Sequence, residues 1–67
     1  MDLGKSFIRI SEVIELTTLS KSTIYRLIRK NEFPKPIALR GMEKVRLFVK
    51  GEVEDWIEKQ IATCRIA

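Results

Sequence analysis

Histidine is absent from this 67-residue sequence, and cysteine occurs once, at Cys64. No intrachain disulfide can form, and the His/Cys spacings that hold zinc are missing. A domain of this size builds one modest core and has little stability to spare without such staples. A lone cysteine suits a reducing cytoplasm. No apolar run approaches the ~18 residues of a membrane span, and Met1-Asp2-Leu3-Gly4 lacks the character of a secretory signal. Neither a Gly-rich phosphate loop nor a nucleophile with a matching base is present, so the sequence offers no ground for an enzyme, a cofactor or a small-molecule ligand. Repeats, low-complexity tracts and dividing linkers are missing too. The expectation is one soluble cytoplasmic domain over residues 1–67, with no metal and no catalytic residues.

What the chain does have is basic charge, unevenly spread. Net charge is +4. From Lys21 to Lys50 nine Lys or Arg stand against two acids, Glu32 and Glu43, a net +7. From Glu52 to Ala67 two bases, Lys59 and Arg65, stand against four acids, a net −2. A cationic surface confined to the middle of the chain favours a polyanionic partner. Ordinary solubilising charge would explain the total, though not the asymmetry.

Local patterns give the order of elements. Phe7-Ile8-Arg9-Ile10 reads as a short extended stretch, and Ser11 as the N-cap of a two-turn helix from Glu12 to about Thr17, with Ile10, Val13 and Leu16 toward the core. Thr17-Thr18-Leu19 breaks that pattern, and Ser20 caps a second helix from Lys21 to about Asn31. The gap of three or four residues is helix-turn-helix spacing. Pro34 and Pro36 end the second helix, with Phe33 as a core anchor. Two strand candidates follow, Ile37-Ala38-Leu39 and Val45 to Val49, separated by Arg40-Gly41-Met42-Glu43-Lys44, with Gly41 supplying the turn. This hairpin has a basic tip and flank in Arg40, Lys44 and Arg46. Its register stays open, because Leu47, Phe48 and Val49 break alternation and call for a bulge or for burial on both faces. A last helix starts near Gly51 or Glu52, with Val53, Trp56, Ile57 and Ile61 as its apolar stripe and Gln60 at the edge. Cys64 shares that face and reads as a small core residue rather than a reactive thiol.

The second helix is the informative one. At about 100° per residue, Ile24, Leu27 and Ile28 share one arc, while Ser22, Arg26 and Arg29 lie opposite, flanked by Tyr25 and Lys30. Eleven residues make about 16 Å of helix, which fits a B-DNA major groove about 12 Å wide. Arg26 can bind guanine through two parallel hydrogen bonds, and Ser22 can reach a base edge or a phosphate. Tyr25 can donate to a phosphate or pack half-buried. Exposed N–H groups near Ser20 and Lys21 offer a phosphate site, and Lys21, Arg29 and Lys30 supply charge. The basic hairpin can follow the backbone or enter a minor groove. A basic helix face alone is usually just solvated, but helix-turn-helix spacing, a cationic second helix and a basic hairpin in this order point together to DNA.

The stretch "FIRISEVIELTTLSKSTIYRLIRKNEFPKPIAL" resembles the N-terminal two-thirds of the AlpA-type prophage regulators, relatives of phage excisionases with a winged-helix fold similar to the MerR type. The likeness runs through the N-terminal extended stretch, the S-x-x-T-[IL]-Y-R helix (Ser20, Thr23, Ile24, Tyr25, Arg26) and the F-P-x-P exit (Phe33, Pro34, Pro36). It resumes at "GEVEDWI", where Glu52, Val53, Trp56 and Ile57 match the final helix. The resemblance implies a small DNA-binding regulator of a mobile element, which controls an integrase gene or acts as an architectural factor during excision. It also brings Thr23 into the recognition set. The family usually has Gly in the turn where this chain has Thr18, and Gly-Trp or similar where this chain has Arg46-Leu47-Phe48-Val49.

The reading is a mainly α winged helix-turn-helix protein with a small β-hairpin. It regulates transcription by sequence-specific binding of double-stranded DNA, through Lys21, Ser22, Thr23, Tyr25, Arg26, Arg29, Lys30, Arg40, Lys44 and Arg46. A module this small covers about 600–1,000 Å² of its surface on DNA, so a further partner is expected, either an integrase or a second copy through tandem cooperative binding. The rival reading is a protein-interaction module whose basic face docks an acidic partner such as a recombinase or polymerase subunit. A membrane-resting amphipathic helix is the poorer alternative, since the apolar side of Lys21–Asn31 is needed for the core.

Overall fold

The computed structural model of the chain describes residues 6–66. The elements run β1 (Phe7–Ile8), α1 (Ile10–Thr17), α2 (Lys21–Arg29), β2 (Ile37–Leu39), β3 (Met42–Val49) and α3 (Lys50–Thr63). The strands form one antiparallel sheet in the order β1-β3-β2. Three helices with this small sheet make a mainly helical, winged-helix-like fold.

The core is assembled from one residue per element. Ile8 of β1, Val13 of α1, Ile24 of α2, Phe48 of β3 and Val53 of α3 are buried, together with Phe33 from the loop after α2. Only β2 contributes none. Ile10, Ile14, Leu19, Leu27, Ile28, Trp56 and Ile57 pack around this centre. Phe33 is the hub. Its ring meets Phe48 edge-on at 6.2 Å between centroids and tilts against Trp56 at 4.8 Å, geometries the aromatic quadrupole favours.

Helix α1 starts earlier than the sequence suggests. Ser11 is not its cap; the helix is open to Ile10, and Arg9 stands in the N-cap position with no side-chain cap bond. The Arg9 carbonyl already accepts from the Glu12 and Val13 N–H groups. The cause is tertiary: β1 pairs Ile8 with Phe48, and the chain must turn immediately afterwards. Leu16, expected in the core, is 40 % exposed.

The connection to α2 is three residues, Thr18, Leu19 and Ser20. Thr18 adopts φ +61, and its N–H donates to the Ile14 carbonyl at 2.7 Å, ending α1. Ser20 is the N-cap of α2, its Oγ accepting from the Thr23 N–H at 3.2 Å. At the other end α2 stops at Arg29, two residues short of expectation. Asn31 takes φ +59, its N–H donates to the Ile28 carbonyl, and the Glu32 N–H reaches back to Leu27 at 2.8 Å. This is the Schellman closure, with Asn in the left-handed position that Gly usually fills. The helix is therefore stopped by Asn31, and the prolines act downstream of a stop already made.

The hairpin corrects the sequence reading most. Its turn is only Arg40-Gly41, since Leu39 pairs with Met42, and Glu43 and Lys44 belong to β3. Gly41 has φ +82, the value required at the third residue of a type II turn. Such a turn does not match the twist of paired strands, and the mismatch is absorbed at once. Between the Leu39–Met42 and Ile37–Leu47 pairs β2 advances two residues and β3 five, a large bulge across Glu43–Arg46. The Glu43 carboxylate accepts from the Gly41 N–H at 2.6 Å, and the Arg46 guanidinium donates to the Glu43 carbonyl. Both devices left open by Leu47-Phe48-Val49 are present. The bulge resets the register, and β3, as the central strand, buries Phe48 while Leu47 and Val49 are half-buried.

β3 runs directly into α3, whose first residue Lys50 donates its N–H to the Ser6 carbonyl at 2.8 Å. Val53 is fully buried and Trp56 and Ile57 half-buried, but Ile61 is 49 % exposed. Cys64 is exposed, not a core residue. It shares the face of Val53 on the helical wheel, but it is the C-cap residue beyond Thr63, past the part of α3 that reaches the core.

Candidate nucleic-acid interface

Helix α2 is held by its ends and one side. Ser20 fixes the start, the Asn31 closure fixes the end, and Ile24 is fully buried, with Leu27 and Ile28 half-buried beside it. The opposite side is thereby set. Lys21, Ser22, Arg26, Arg29 and Lys30 are all exposed, while Thr23 and Tyr25 are half-buried at its margins. No acidic residue occurs within α2.

The hydroxyls at the start of α2 are partly committed to one another. Ser20 Oγ lies 2.9 Å from Thr23 Oγ1 and 3.3 Å from Ser22 Oγ. Thr23 thus reinforces the cap, and Ser22 stands at the edge of the same cluster with its side chain exposed. A hydroxyl that accepts within the cap can still donate outward. Among the described residues, the side chains of Lys21, Arg26 and Arg29, and of Lys30 at the C-cap, make no hydrogen bond and stand exposed to solvent.

The three hairpin bases are not equivalent. Arg40 is exposed at the turn itself. Lys44 is exposed inside the bulge rather than at a five-residue tip. Arg46 is exposed but engaged, its guanidinium bracing the Glu43 carbonyl. Sequence reasoning missed this bracing role, and also Glu43 as the clasp of the turn. The only local signal was an acid two residues after Gly41 in an otherwise basic segment.

The loop joining α2 to the hairpin is tied to α3. Trp56 Nε1 donates to the Glu32 carbonyl at 2.8 Å, and its ring covers Phe33. The helix, its exit and the base of the wing are therefore braced by one side chain. Among the described residues no group of three or more His, Cys, Asp or Glu side chains could hold a metal, and no helix is long and apolar enough to cross a membrane.

Residues 6–61, which span every element except the last two residues of α3, match the family described as "Prophage CP4-57 regulatory protein (AlpA)". The chain belongs to the AlpA family of prophage regulatory proteins. That description names a regulatory protein of a prophage, and the cationic helix α2 lies wholly inside the matched residues. A relative from Enterobacteria phage P4, "Uncharacterized protein ORF88", is 46% identical over 56 residues, which cover 84% of this AlpA chain and 61% of the phage protein. The chain thus spans less than two thirds of that relative's length. No solved structure matches it.

Proposed function

We propose that this AlpA-family chain binds specific double-stranded DNA sequences by laying α2 in the major groove, and so regulates transcription in a prophage or related mobile element. The observation that carries the reading is the outer face of α2 with its C-cap Lys30, where four cations stand exposed and no acid occurs. Arg26, in the middle of that face, is the base reader. Lys21, Arg29 and Lys30 meet phosphates, as do the hydroxyls of Ser22, Thr23 and Tyr25. Arg40 and Lys44 of the wing follow the neighbouring backbone, and Arg46 shapes the bulge that presents them. A footprint of about 600–1,000 Å² argues for several copies on one site. Such an assembly can also bend DNA for excision beside an integrase.

The test combines selection of bound sites from a random DNA pool with titration at several salt concentrations. A recovered motif and a steep fall of affinity with salt are expected. Arg26→Ala should lower affinity for the motif by about 1–3 kcal/mol and relax one position, whereas Lys30→Ala should weaken all sequences alike and reduce the salt slope by about one. Equal losses for both variants on motif and random DNA would remove Arg26 from base reading. No binding at ~50 mM salt would favour an acidic protein partner instead.

A further inference from the structure

Met42 opens β3 directly after the Arg40-Gly41 turn of the wing. It is 46 % exposed and takes no part in the hydrophobic core. Arg40 precedes it by two residues and Lys44 follows it by two, and both are exposed. The one acid between them is engaged within the wing itself. The Glu43 carboxylate holds the Gly41 N–H, and its carbonyl accepts from the Arg46 guanidinium. The wing therefore presents a cation, an apolar side chain and a cation in succession, on a turn fixed by its own clasp.

That succession of groups fits a narrow groove walled by phosphates. The minor groove of B-DNA is about 6 Å wide, against about 12 Å for the major groove that α2 occupies. Its potential draws cations, and minor-groove proteins commonly insert apolar side chains, methionine among them. On its floor every base pair carries acceptors, but only guanine adds a donor, the 2-amino group. Adenine has a C–H at that position. A thioether is a weak acceptor, so a guanine amino group buried against Met42 loses its water without a good partner. The adenine C–H has no such bond to lose.

We propose that Met42 is a specificity-determining residue, set on the floor of the minor groove beside α2, where it selects A·T pairs by excluding the guanine amino group. The proposal rests on the major-groove reading of α2 and adds a second point of sequence choice to it. Arg40 and Lys44 keep to the phosphates on either side. The two points can be told apart, because the 2-amino group projects into the minor groove alone, out of reach of α2.

Inosine tests the proposal, since it lacks the 2-amino group of guanine and keeps its major-groove edge. Selection of bound sites from a random pool should return a patch of A·T pairs beside the motif read by α2. Relative to A·T in that patch, G·C should weaken binding by about tenfold, and inosine·cytosine should recover it to within about twofold. Met42→Gln supplies a carbonyl that can accept from guanine. This variant should bind the three duplexes alike, with its melting temperature unchanged. A motif without an A·T patch, an inosine duplex as weak as G·C, or a Met42→Gln protein that discriminates as before would each overturn the proposal. These outcomes leave α2 in the major groove, whereas a pool that returns no motif would remove both readings.

Discussion

At the scale of single residues, two side chains sit where glycine is usually found. Thr18 and Asn31 hold φ +61 and +59, and each closes one of the paired helices. They are not equally at ease. Asn tolerates the left-handed region because its short polar side chain can bond locally, whereas a β-branched residue crowds its own carbonyl. Relief of that crowding outweighs the chain entropy a glycine adds, so Thr18→Gly should stabilise the protein by about 0.5–1 kcal/mol. Thermal denaturation should show a rise of about 2–8 °C. A fall would mean that the Thr18 hydroxyl, which donates to the Thr17 carbonyl, compensates the strain.

At the scale of elements, the wing is a turn, a clasp and a bulge rather than a regular ribbon. Lys44 and Arg46 lie two residues apart in the same bulge, but among the described residues only Arg46 has a side-chain hydrogen-bond partner. Lys44→Glu should therefore change the melting temperature little, within about 0.5 kcal/mol, while weakening DNA binding, because a cation at the backbone becomes a repelled anion. Arg46→Glu should lower both, since the new carboxylate cannot donate to the Glu43 carbonyl and faces it as a second acceptor. Melting and DNA affinity measured on the pair separate the two roles. A Lys44→Glu protein that binds DNA at full strength would confine recognition to α2.

At the scale of the whole molecule, α2 is positioned by residues remote from its outer face. Trp56 joins α3 to the exit of α2 through its bond to the Glu32 carbonyl and its contact with Phe33. Trp56→Phe keeps a ring against Phe33 but removes the donor. It should cost about 1–2 kcal/mol, from the lost bond and the smaller ring. Amide hydrogen exchange should quicken at Asn31, Glu32 and Phe33 more than at Val13 or Val53. Uniform acceleration across the chain would show that Trp56 supports global stability without a particular hold on this loop.

Periodicity and capping chemistry alone determined much of this protein. The Ile24-Leu27-Ile28 arc against Arg26 and Arg29, the Ser20 cap, the three-residue gap between helices and Phe33 as anchor were all legible, because each is a relation among residues within a turn or two. The resemblance carried by Ser20, Thr23, Tyr25 and Arg26 likewise required no coordinates. What the tertiary structure decided were the relations between distant segments. Ser11 lost its capping position to Arg9 because β1 pairs with β3 and forces an earlier turn. The strand register was set when Phe48 met Ile8 and Phe33 at once, which left Glu43–Arg46 to absorb three surplus residues as a bulge. Leu16, Ile61 and Cys64 carry the same apolar signature as Val13 and Val53, yet they remain exposed. A hydrophobic stripe states which face seeks cover, and only the packing of the other elements decides how far along the helix that cover reaches.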